Sequence, residues 1–107
     1  DVNFVNPKSS WTPLHYTVNG NHNDAAKILM NAGADPNVQD AMGWTTLHIA
    51  AWLGNEELSK ALMIAGARDD LKNETNTTAK QIAEIRENYA KNKTNIPFHR
   101  WIMMKKR

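Results

Sequence analysis

The chain has 107 residues, 41% hydrophobic and 22% charged, a length that suits one modest domain whose core is too small to enclose a deep active site as well. It contains no cysteine, which excludes a disulfide scaffold; no apolar run approaches the roughly 20 residues of a membrane-spanning helix and no charged and apolar leader opens the chain, so a soluble, unprocessed segment is expected. Thirteen basic against eleven acidic residues leave +2, too small an excess to imply nucleic acid by charge alone.

In chain order, Asp1-Val2-Asn3 repeats the phrase Asp35-Pro36-Asn37 with one extra residue before the next tryptophan. It reads as the close of a preceding unit, and an excerpt from a longer array is expected. Trp11-Thr12-Pro13-Leu14-His15 then opens a helix: the Thr12 hydroxyl is suited to cap it, Pro13 sits where a missing N–H costs nothing, and Leu14 begins the apolar face. Asn21 tolerates the left-handed conformation needed between this helix and the next. A second helix is predicted over about 22–32, closed by Gly33 as a left-handed cap, after which Asp35-Pro36-Asn37 turns the chain into an extended tip leading to Trp44.

The same order returns 33 residues on. Trp44-Thr45-Thr46-Leu47-His48 opens a helix without the proline, Ala50-Ala51 allow close helix approach, and Gly54 falls where Asn21 stood. The next helix is predicted over about 55–65, closed by Gly66. Core positions of the two second helices are expected to trade volume, Ala25 against Leu58 and Ile28 against Ala61, with Leu29 and Leu62 matching. Another 33 residues lead to Thr78-Ala79-Lys80-Gln81-Ile82-Ala83, a copy without the histidine. Glu87 replaces Gly54 there, so this helix is predicted to run on from about 77 to about 92, with Ile82, Ile85 and Tyr89 on one face. Thr94-Asn95-Ile96-Pro97 breaks the pattern. Phe98, Trp101 and Ile102 then recur at helical spacing just before Met103-Met104-Lys105-Lys106-Arg107, and a short amphipathic helix folding back over the last repeat is expected.

Three registers of one 33-residue period, carrying Thr12-Pro13-Leu14-His15, resemble the ankyrin-repeat family over residues 1 to about 92. The resemblance implies an all-α solenoid of stacked helix-turn-helix units with β-turn tips. As a single domain over 1–107 it divides into the end of a preceding repeat (1–10), repeats at 11–43 and 44–76, a degenerate capping repeat at 77–93 and a helical extension at 94–107. It also implies that His15 and His48 are structural, bonding to backbone and hydroxyl groups that tie successive repeats together, since an imidazole can donate and accept at once. Asn37 occupies the place where intracellular relatives are often hydroxylated.

No catalytic constellation stands against that reading. There is no histidine pair at metal-ligand spacing, no glycine-rich phosphate loop and no nucleophile elbow, so neither metal nor cofactor nor small-molecule substrate is expected. The Asn-x-Thr triplets at Asn73, Asn76 and Asn92 are read as chance in an asparagine-rich chain. Lys105-Lys106-Arg107 reads as a solvated terminus rather than an address, so nucleic acid and membrane are not expected partners.

What remains is surface chemistry. In the resembled fold, tips and first helices form a concave wall that contacts another protein. Carried over by position, the wall comprises Lys8, Ser9, Trp11 and Asn19, then Asp40, Met42, Trp44, Trp52 and Leu53, extended by Glu74, Thr77 and Arg86. Tryptophan and methionine rimmed by Asp40, Lys8 and Glu74 have the composition of an interface hot spot. A non-catalytic protein-interaction module, cytoplasmic or nuclear, is therefore expected. Two other readings stand beside it: a targeting or regulatory segment of a larger enzyme, or a scaffold for a basic terminal helix that contacts membrane or nucleic acid.

Overall fold

The computed structural model describes residues 2–92, so the expected terminal helix lies outside the described residues. Within them the chain forms five α-helices and no strand: α1 (Pro13–Asn19), α2 (Asn23–Asn31), α3 (Thr46–Leu53), α4 (Glu56–Ile64) and α5 (Ala79–Asn92). Helices of seven to nine residues are too short to stand alone in water, so capping and packing must hold them. Both expected caps are present. The Thr12 hydroxyl accepts from the backbone N–H of His15, and the His15 ring accepts in return from the N–H of Thr12; Thr45 and His48 repeat the arrangement. Thr46, standing where Pro13 does, donates its hydroxyl to the Pro36 carbonyl instead (3.1 Å).

The left-handed residues fall where the sequence places them, at Asn21 (φ 58°), Gly33 (97°), Gly54 (71°) and Gly66 (101°). Each short helix therefore reverses into its partner. α1, α3 and α5 lie side by side as one layer, with α2 packed behind α1, α4 behind α3, and α2 beside α4. α5 passes Glu87 without a break, as predicted, and is 14 residues long against eight for α3.

Leu14, Val18, Ala50, Leu58, Leu62 and Ile82 are fully buried between the layers, with Leu47, Ile49 and Ala51 nearly so. At roughly 1.5–3 kcal/mol for each large apolar side chain, this burial dominates the fold's stability. The expected trade of volumes in the second helices fails on one side. Leu58 is buried and Ala61 half-buried, but Ala25 is exposed and Ile28 is 68% exposed. Ile28 shares a helical stripe with Asp24, whose counterparts Ala61 and Glu57 face α2; on α2 the same stripe faces away from α4, and no described element covers it.

Candidate protein-binding face

Three tip turns precede the inner helices, and one short polar side chain organises each. Asp40 Oδ1 accepts from the backbone N–H groups of Met42 and Trp44 (both 2.8 Å). Asn73 Oδ1 accepts from Thr75 and Thr77, and Asn6 Oδ1 from Lys8 and Ser9. Backbone pairs close the turns, Asn6 N–H to Trp11 carbonyl, Asp40 to Trp44 and Asn73 to Thr77. The tips are also stitched to one another, Ala41 N–H to the Ser9 carbonyl (3.0 Å) and Glu74 N–H to the Met42 carbonyl (2.9 Å). A row of exposed side chains, Lys8, Met42 and Glu74, is thus held on a backbone with little left to order.

Behind the tips, the histidines lock the register. His15 Nδ1 accepts from Thr12 N–H, which fixes the proton on Nε2, and Nε2–H donates to the Trp44 carbonyl of the next unit (3.1 Å). His48 donates likewise to the Thr77 carbonyl (2.8 Å). Both rings are buried, and burial lowers both pKa values against the opposing pull of those carbonyls and of Asp40. With both ring nitrogens engaged on backbone, these histidines tie successive units together and leave no lone pair for a metal or a substrate. Among the described residues no group of His, Asp and Glu could hold a metal ion, and no helix is long and apolar enough to cross a membrane.

The expected wall divides into residues held half-buried and residues left open. Trp44 meets Trp52 edge to face with ring centroids 5.6 Å apart, and Leu53 adjoins them, all three packed partly on the core. Trp11 stacks on His15 and donates its indole N–H to Asp40 Oδ2 (2.8 Å), so Asp40 links two units as well as shaping its own turn. Met42 is 55% exposed, and Lys8, Glu74 and Asn19 are exposed too. Two members read as wall do other work. Thr77 is fully buried, because its carbonyl receives His48 and its N–H is held by Asn73. Arg86 donates to the Trp52 carbonyl, capping the C-terminal end of α3, where a cation is favoured.

Tyr16 was missed. It is half exposed, meets Trp11 edge-on at 4.9 Å and receives a hydrogen bond from Asn6 Nδ2, which puts it in the aromatic row. Its counterpart Ile49 is buried, so only the unequal fate of equivalent positions reveals it. Asn37 uses both amide atoms structurally, donating to the Gly66 carbonyl and accepting from Arg68 N–H, as Asn3 does with Gly33 and Asp35.

The repeat register also exposes a defect. Asn73 follows Trp44 by the same 29 residues that separate Asp40 from Trp11, yet where Asp40 offers an acceptor Asn73 buries Nδ2, a donor with no partner. Asn73→Asp is expected to raise stability by about 0.5–1.5 kcal/mol in urea titration by giving the Trp44 indole an acceptor, and Trp44→Phe should abolish the gain. A loss of stability in Asn73→Asp would show that the indole lies out of reach.

Residues 1–75 match the family model described as ankyrin repeats, three copies. No curated protein matches the sequence. Ankyrin repeats are generally protein-interaction modules and typically non-catalytic, in keeping with histidines spent on inter-repeat ties. With that match over most of its length, and with its capped helix pairs and stitched tips, the chain belongs to the ankyrin-repeat family.

Proposed function

We propose that this chain binds a partner protein through the concave face formed by its tips and by the exposed ends of α1 and α3. The observation that carries the reading is the aromatic pair Trp44 and Trp52 beside Leu53, mostly buried but each with an edge left accessible, with Met42 open on the adjoining tip. Large rigid side chains bind with little entropy to lose, and the stitched tips lower that loss further. The partner should bring an apolar anchor for this cluster. Lys8 and Glu74 set a charged rim whose contribution weakens with salt, while the apolar centre does not.

Trp52 and Leu53 also pack on the core, so the test uses the tips. Capture from cell extract with the wild-type chain identifies a partner, and its affinity is then measured against Met42→Asp combined with Glu74→Lys. Both positions are exposed, so the circular dichroism spectrum should be unchanged while affinity falls at least tenfold, about 1.4 kcal/mol. A partner that binds both chains equally would place the binding surface elsewhere.

A further inference from the structure

The concave wall carries two aromatic pairs, one repeat apart. Trp11 meets Tyr16 edge to face at 4.9 Å, and Trp44 meets Trp52 in the same manner at 5.6 Å. Asp40 ties the pairs together, taking the Trp11 indole N–H on Oδ2 and the Trp44 backbone N–H on Oδ1. Trp11 and Trp44 stand just before α1 and α3, and helices packed side by side lie about 8–10 Å apart. That step matches one turn of polyproline II, three residues at about 3.1 Å each. Every third residue of such a chain faces the same way, so one prolyl ring can fall on each aromatic pair.

The polar groups of the wall agree. Both carboxylate oxygens of Asp40 are engaged within the chain, and so are the carbonyls of Ser9, Met42, Trp44 and Trp52. Donors remain. The Trp44 indole N–H meets no acceptor among the described residues, where the buried donor left unpaired is Asn73 Nδ2, so the indole N–H reaches solvent. Tyr16 accepts from Asn6 Nδ2 and is 50% exposed, which leaves its hydroxyl proton to give. A wall with donors and aromatic rings, but little to receive a backbone N–H, suits the residue that has a carbonyl and no N–H. We propose that the partner brings a proline-rich segment in the polyproline II conformation, an inference that rests on the binding face argued above. Charge sets its direction: Lys8 stands exposed on the first tip and Glu74 on the third, with the uncharged Ala41 and Met42 between them. Six residues of polyproline II span about 19 Å, against about 16–20 Å for two packing steps, so a segment acidic at one end and basic at the other reaches both charges.

The probe is a synthetic peptide, blocked at both ends and fluorescently labelled, of two glutamates, six prolines and two lysines in that order. It is titrated against the full 107-residue chain by anisotropy, beside one peptide with the charged ends exchanged and another with alanine for proline. The first should bind at least tenfold more tightly than the alanine form and at least threefold more tightly than the exchanged form. Lys8→Glu with Glu74→Lys should invert the second preference, and both positions are exposed, so the fold is untouched. Trp44→Phe keeps a ring and removes the indole N–H, and should weaken the proline peptide about fivefold. Equal affinity for the proline and alanine forms, or no binding of the proline form up to about 1 mM, overturns the proposal. A preference that survives the charge exchange places the peptide elsewhere and overturns it too. Failure of the face itself reads differently: a captured partner that loses affinity for Met42→Asp with Glu74→Lys, yet is not displaced by the proline peptide, keeps the face and overturns only its proline-rich occupant.

Discussion

His48→Ala is expected to cost about 3–5 kcal/mol, a large part of the whole stability of a domain this size. The ring fills a buried site, accepts from Thr45 N–H and donates to the Thr77 carbonyl, so truncation strands two buried backbone groups, each at about 1–3 kcal/mol, beside a cavity. His48→Gln separates the two jobs. In the third copy Gln81 already caps its helix, accepting from Thr78 N–H (2.9 Å) while Gln81 N–H bonds the Thr78 hydroxyl. The glutamine variant should therefore keep the cap, lose the tie to the next unit and fall about midway. Urea denaturation of both variants measures this; equal losses would show that the inter-repeat bond contributes nothing.

The same rings make stability depend on pH. Burial holds each below its ordinary value of 6.5, and protonation would also turn Nδ1 into a donor aimed at the N–H of Thr12 or Thr45. The unfolded chain therefore binds more protons than the folded one once pH drops below about 6.5. Stability is fully present above that pH and is lost as pH falls through it, with a limiting slope of about 2.7 kcal/mol per pH unit for two histidines. His48→Gln should halve the slope.

Much of this was legible because a repeat states its rules more than once. The threonine before each inner helix, Thr12 and again Thr45, gives the caps, the family resemblance gives His15 and His48 as structural ties, and Glu87 in place of Gly54 gives the run-on of α5. What stayed hidden depends on which neighbour an equivalent position meets. Ile28 looks like core beside Ala61 but faces no described helix, and Thr77 looks like tip surface but receives a histidine from 29 residues earlier. Arg86 shares its repeat position with Leu53, and only the packing of α5 on α3 brings it to the Trp52 carbonyl. On the candidate face, the sequence places Trp11, Trp44 and Trp52 on the wall but not Tyr16, since Tyr16 stands where the next repeat buries an isoleucine.

Gly43→Ala is expected to cost about 2–4 kcal/mol, while Gly66→Ala should cost only about 1 kcal/mol. Both glycines are left-handed, at φ 80° and 101°, so backbone preference alone does not separate them. Their surroundings do. A Cβ at Gly66 meets nothing within 4 Å, whereas at Gly43 it would stand 2.8 Å from Asn73 Cα and 2.9 Å from Glu74 N, backbone atoms that cannot rotate aside. Glu74 N–H is the donor that stitches the third tip to the Met42 carbonyl, so relieving the clash means opening that stitch and tilting Asn73, on which Thr75 and Thr77 hang. The damage should also be directional. In a stacked solenoid each unit leans on its neighbours, so hydrogen exchange should accelerate across the third tip and α5 by more than across α1 and α2. Equal losses for the two glycine variants, or uniform acceleration along the chain, would mean that the second and third tips do not depend on this close approach.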